Sequence, residues 1–307
     1  MVGAALLLTG SVAWGATPAE AHGMPRSPAS GLAFSAAMHG RKADALAAVQ
    51  SLAQGISVSQ LLAMGDSGWD LSQQYAALVR FGLWDELIAL QPPDPRAQGL
   101  TAGYLYGRGV ALAARGRMAD ARDTLARLHA LGSATRGETR AGRNSLRDIV
   151  SVAEPIVAAR IAASAQRSAE AVARLEEAVA AEDRLADADP PDWFFPARHL
   201  LGAQLLIAGD AAEAQRVYRQ DLLRNPHNGW ALYGLAAALQ REGRAAEAQR
   251  VTRRFRAAWK GADVQLRASA FWFAGPDTTS CECQRAASAD RQPGGELLGA
   301  QHEAGVH

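Results

Sequence analysis

Seven consecutive residues, Ala211-Ala212-Glu213-Ala214-Gln215-Arg216-Val217, recur verbatim as Ala245-Ala246-Glu247-Ala248-Gln249-Arg250-Val251, displaced by 34 positions. Gly209 and Gly243 stand two residues before the copies at the same offset. Self-similarity at a fixed period of this size marks a chain assembled from stacked copies of one small supersecondary unit. The chemistry of the unit is helical. Hydrophobic residues make up 49% of the chain but aromatics only 6%, and alanine, the best helix former, dominates. No long alternating run of Val, Ile and Thr marks a strand. Within the first copy, Leu201-Gly202 and Leu205 form the packing face of one helix, and Gly209 ends it in a left-handed cap. Ala214 then sits at the helix crossing, Tyr218 fills the groove, and Pro226 separates this hairpin from the next. The second copy follows the plan through Leu235-Ala236, Leu239, Gly243 and Ala248, and departs from it at Thr252 and Lys260. A terminal repeat is expected to be atypical, because its outer face meets water.

Weaker copies align on the same turn. They are Gly40-Arg41-Lys42-Ala43-Asp44-Ala45, Phe81-Gly82-Leu83-Trp84-Asp85, Gly116-Arg117-Met118-Ala119-Asp120-Ala121 and Gln166-Arg167-Ser168-Ala169-Glu170-Ala171. Turns therefore fall at 40, 82, 116, 166, 209 and 243, with loops near 91–97 and 132–147. A 34-residue helix–turn–helix unit resembles the tetratricopeptide repeat. The stretches Pro190-Pro191-Asp192-Trp193-Phe194-Phe195-Pro196-Ala197-Arg198-His199 and Asn225-Pro226-His227-Asn228-Gly229-Trp230 resemble the C-terminal region of a group of bacterial proteins of that family. The resemblance is best over 148–260 and looser over 24–130. It implies an all-α superhelix of stacked antiparallel hairpins and a role in protein interaction, and it carries no catalytic residues. The expected division is 22–132 as degenerate hairpins, 133–147 as a linker, 148–274 as tetratricopeptide-like hairpins, and 275–307 as a disordered tail rich in Gly, Ser and Gln.

Residues 1–21 are uncharged until Glu20 and carry the apolar run Val2 to Leu8 and an Ala19-Glu20-Ala21 cleavage-like site. They read as a signal peptide, which favours a periplasmic or secreted destination. The rival reading is a leftover helix of an upstream repeat in a cytoplasmic protein, since no Lys or Arg precedes Arg26. No segment is long and apolar enough for a membrane span.

Signals for chemistry are few. The net charge is +1, which selects neither nucleic acid nor an anionic surface. No HExxH, GxSxG or P-loop pattern occurs. Gly107-Arg108-Gly109 begins like a dinucleotide fingerprint, but Leu112 takes the third glycine's place. Cys281 and Cys283, with His302 and His307, lie in the expected tail and lack the spacing of a zinc site. No catalytic residue, metal or cofactor is therefore expected. The acidic pairs Glu176-Glu177 and Glu182-Asp183 read as solvated faces, because adjacent helical residues diverge by about 100°.

What remains is a surface. In stacked hairpins the first helices line a concave face. Mapping the repeat places His199, Ala203, Leu206 and Ile207 there, followed by Trp230, Tyr233, Ala237, Gln240 and Arg241. Aromatic anchors beside Gln and Arg suit an extended peptide. The expected partner-binding set is His199, Trp230, Tyr233, Gln240 and Arg241, on a non-catalytic scaffold for a protein or peptide. The rival readings are structural: a hydrogen bond from His199 to a neighbouring hairpin, and Trp230 packed between hairpins. At the level of the chain, the alternatives are a fragment of a longer repeat protein or an enzyme with an unrecognised site.

Overall fold

The computed structural model describes residues 27–271. The N-terminal stretch 1–21 and the tail 275–307, with both cysteines, lie outside the described residues. Among the described residues thirteen α-helices follow one another. They are α1 (Pro28–Met38), α2 (Lys42–Gly55), α3 (Val58–Ala63), α4 (Gln73–Arg80), α5 (Trp84–Ala89), α6 (Gln98–Ala114), α7 (Met118–Ala134), α8 (Leu146–Ser164), α9 (Ser168–Glu182), α10 (Ala197–Ala208), α11 (Ala211–Arg224), α12 (Gly229–Arg241) and α13 (Ala245–Ala258). The sheet content of the described residues is one two-residue-per-strand hairpin, Arg140–Ala141 against Asn144–Ser145. The all-α expectation holds.

Six helical hairpins form around the six predicted turns. Gly40, Gly82, Gly116, Gly209 and Gly243 all have positive φ, and so does Gln166 at 59°. In each, the N–H after the turn residue donates 2.9 Å to the carbonyl five residues earlier: Arg41 to Ala36, Leu83 to Leu78, Arg117 to Leu112, Arg167 to Ala162, Asp210 to Leu205 and Arg244 to Leu239. This is the closing bond of a Schellman turn, which uses carbonyls that the helix end leaves unpaired. Gln166 pays the steric cost of the left-handed conformation that glycine avoids elsewhere.

The hairpins stack in sequence: α2 packs on α4, α5 on α6, α7 on α8, α9 on α10 and α11 on α12. Alanines such as Ala121, Ala171, Ala214 and Ala248 are fully buried where helices cross. In the segment 133–147, α7 runs on to Ala134, the β-hairpin follows, and α7 and α8 pack directly on each other. Short α3 and the loop after it insert between the first and second hairpins.

The array is not an open spiral. Trp230 on α12 donates its indole N–H to the Ala37 carbonyl of α1 at 3.0 Å, across 193 residues. Trp259, just past α13, fills the space above Gly40, where an added Cβ would lie 2.3 Å from its ring. The loop between α9 and α10 turns into the interior. Trp69 bonds the Asp192 carbonyl at 2.9 Å and stacks on Phe194, with centroids 5.2 Å apart. Tyr106 meets Trp193 edge-on at 5.1 Å, and Phe34 stacks on Phe195 at 6.5 Å. The inner face of the superhelix is filled by its own chain.

Candidate functional site

The predicted groove residues lie on α10 and α12, and their starts are set by local signals. Pro196 precedes α10 with the fixed φ suited to a helix start. Asn228 caps α12, its side-chain oxygen accepting from the Trp230 N–H at 3.0 Å. These entries aim His199 and Trp230 inward, onto the C-terminal end of α4.

Arg80 is the centre of what they meet. Its guanidinium carbon lies 3.7 Å from the centroid of the Trp230 ring and 4.9 Å from that of Phe195. It also donates to Nδ1 of His199 at 3.0 Å. An imidazole nitrogen facing an arginine must accept, so the proton of His199 sits on Nε2 and points to Asp221, 3.1 Å away. The Asn228 amide nitrogen lies against the same Nε2 and donates to Asp221 at 2.7 Å. The side chains of His199 and Asp221 are almost fully shielded from solvent. Burial holds the His199 pKa below 6.5 and the cation of Arg80 pushes the same way; the pull of Asp221 opposes both. Burial would raise Asp221, but His199, Asn228 and Asn225 outweigh it and leave the pKa lowered. Burial lowers Arg80 to about 9, which leaves it protonated at neutral pH. The result is a buried Arg⁺–neutral His–Asp⁻ chain that joins α4, α10 and α11.

Three of the five expected contact residues therefore do not face an open groove. His199 and Trp230 are fully buried, and Tyr233 is 3% exposed with its ring edge-on to Phe255 at 5.5 Å. The physical reason is closure: α1 and α4 occupy the space that an open superhelix leaves to a ligand. His199 makes the structural hydrogen bonds that were its rival reading. Gln240 and Arg241, at the far end of α12, are exposed, and Arg241 donates to the Leu206 carbonyl of α10. Ile207 beside them is 48% exposed.

The acidic pair Glu182-Asp183 also departs from expectation. The Glu182 carboxylate accepts the Ala197 N–H at the start of α10 at 2.8 Å. Burial raises its pKa to about 7, partly offset by that N–H. Asp183 takes a two-pronged bond from Arg198, at 2.8 and 2.6 Å, and another from Arg224 at 2.6 Å. One acid supports α10 and the other ties α9 to α10 and α11. Glu176 and Glu177 are exposed as expected.

A second concavity lies away from α10 and α12, where the loops meet. It has a volume of about 760 Å³ between the apolar residues Leu52, Ile56, Leu61 and Met64 and the arginines Arg96, Arg136 and Arg140. Arg96 is already paired with Asp94 at 2.6 Å.

The His199–Asp221 pair has the composition of a base with its orienting acid, but the ring's two nitrogens are already engaged by Arg80 and Asp221, leaving no site for a nucleophile. Among the described residues, no group of three or more His, Cys, Asp or Glu side chains could hold a metal ion. No helix among them is long and apolar enough to cross a membrane.

Sequence reasoning missed Arg80, Asp221 and Asn228. One signal was present. At the 34-residue offset Asp221 aligns with Phe255, so an acid occupies a position where the other copy is apolar. Arg80 carried no such mark, because its partner lies 119 residues away.

Comparison with known proteins agrees with the geometry. Residues 205–259, from the end of α10 through α13, match the family model of the tetratricopeptide repeat. No curated protein matches the chain. The matched segment is similar to tetratricopeptide repeats, and the four earlier hairpins share its turn geometry.

Proposed function

We propose that this chain is a non-catalytic interaction scaffold that holds a protein or peptide partner along α10 and α12. Repeat arrays of this kind serve as extended binding surfaces. The observation that carries the reading is the match of residues 205–259 to the tetratricopeptide repeat, at the end of an array of six helical hairpins. On this reading Gln240 and Arg241 are the accessible contacts, offering amide and guanidinium groups to a partner's backbone or carboxylates. Tyr233, Trp230 and His199 form the support beneath them.

Affinity capture with the full chain, analysed by mass spectrometry, tests this against a Gln240→Ala/Arg241→Glu variant. Both residues are exposed, so the variant should keep its helical signal while partner recovery falls by about tenfold or more. Equal recovery by the two proteins would remove α12 from the binding surface. Turnover of a substrate by the purified chain would overturn the non-catalytic reading.

A further inference from the structure

The chain beyond α13 turns back instead of leaving the array. Residues 262–266 carry no regular secondary structure and 267–270 form bends. The strap is fixed at one end to the first hairpin. The Asp263 carboxylate accepts the N–H groups of Lys42 and Ala43 at 2.5 and 2.9 Å, capping α2 from 220 residues away. The Asp263 N–H also donates to the Gly40 carbonyl at 3.1 Å. At its other end Ser269 bridges Tyr218 and the His199 carbonyl, 2.6 and 2.8 Å from its hydroxyl. Leu266 is buried between these points and Ala270 just past Ser269, and Phe271 meets the Trp230 ring edge-on at 5.6 Å. An irregular segment thus runs from the first hairpin to the inner face of the last two. It presents Asp, Leu, Ser and Phe at positions 263, 266, 269 and 271.

We propose that this strap is a built-in occupant of the α10–α12 face, and that a partner presenting a segment of the same side-chain pattern competes with it. The proposal rests on the interaction reading above and deepens it by naming the kind of partner. The two ends of the strap differ in strength. The bonds of Asp263 are at the surface, open to competition from water, whereas those of Ser269 are buried. Opening therefore starts at Asp263. A tethered segment acts at an effective concentration of about millimolar, so a free peptide is excluded from the intact chain until the tether is weakened.

The test uses the full chain and a fluorescent synthetic peptide covering residues 262–271. Loss of a capping carboxylate in Asp263→Ala should tighten peptide binding on the order of tenfold over the unaltered chain. Adding Ser269→Ala to the peptide itself should weaken it again. A second measurement needs no variant: hydrogen exchange of the unaltered chain should show the 263–271 amides opening at least about tenfold more readily than those of α12. If these amides exchange only with α12, or the Asp263→Ala chain folds and ignores the peptide, the strap is fixed core and the proposal fails. Neither readout involves a captured partner. An opening strap with no captured protein would count against the scaffold reading alone.

Discussion

Replacing Arg80 with methionine tests how the interior is held. The variant keeps an unbranched apolar stem but leaves Asp221 as a buried anion facing a neutral imidazole. Arg80 reaches Asp221 only through the His199 ring, so the cost of breaking a direct buried ion pair, about 3–5 kcal/mol, is an upper bound on the loss, which includes the stacked cation between Trp230 and Phe195. That loss should appear in full at pH 8. At lower pH the variant has a remedy that the parent lacks. With Arg80 in place, burial and the neighbouring cation hold the folded pKa of His199 below its ordinary value, while the unfolded chain takes up a proton near 6.5. A depressed histidine pKa makes the folded state poorer in protons, so the parent loses stability as pH falls below 6.5. In Arg80→Met the ring can protonate beside Asp221 and restore an ion pair, so this loss disappears. The destabilisation caused by the mutation should therefore shrink between pH 8 and pH 5.5. Using the difference between the two proteins cancels Glu182, which titrates in the same window in both. Urea denaturation followed by circular dichroism at the two pH values gives the comparison. A destabilisation that is constant or grows at pH 5.5 would refute the neutral-histidine assignment.

Three further outcomes are expected from the same assay. Tyr233→Ala should cost about 3–5 kcal/mol through an interior cavity, whereas Arg241→Ala should stay within about 0.5 kcal/mol; a stable Tyr233→Ala protein would contradict the burial of that ring. Glu182 has a folded pKa of about 7 against an ordinary 4.5, so its protonated form stabilises the fold fully below 4.5 and that contribution, up to about 3 kcal/mol, is lost as pH rises to 7. Glu182→Gln should flatten this part of the stability profile, and an unchanged slope would show the carboxylate to be solvated. Finally, Gly234→Ala would place a Cβ 2.2 Å from the Tyr218 ring, while Gly31→Ala on α1 meets nothing within 4 Å. Alanine should stabilise at Gly31 by about 0.5–1 kcal/mol and destabilise at Gly234 by about 1–3 kcal/mol; the same sign at both would be the failing result.

Much of the fold could be read because its signals are local. A left-handed turn residue leaves a mark at one position, and five of the six are glycine. Gln166 was legible only through its context, since Arg167 and Glu170 repeat the spacing of Arg117 with Asp120 and Arg244 with Glu247. In each case the pair forms an i, i+3 ion pair at the start of the second helix. The site was less legible. Periodicity assigns His199 and Trp230 to the inner face of their helices, and the structure buries both. It carries no information on whether the inner face is wet. That depends on small rotations summed over six hairpins, which no single repeat encodes.

Closure changes what the inner positions are for. In an open array the aromatic residues of the first helices wait for a ligand, and burying them is left to the partner. Here Trp230 is covered by Ala37, Arg80 and Phe271, which come from three distant parts of the chain. Two of these covers belong to helices, α1 and α4, that are held by their own hairpins. The third belongs to the strap, which has no helix of its own and is held by Asp263, Leu266, Ser269 and Ala270. Helices that open must carry a hairpin core with them, whereas a strap can leave by giving up its own few contacts. Local opening is drawn from the segments with the fewest buried contacts. If any part of the inner face is exchanged for a partner, the strap is therefore the part that moves, and the polar groups it uncovers are the Tyr218 hydroxyl and the His199 carbonyl. Both are hydrogen-bonding groups that a partner's backbone or hydroxyl can satisfy in place of Ser269.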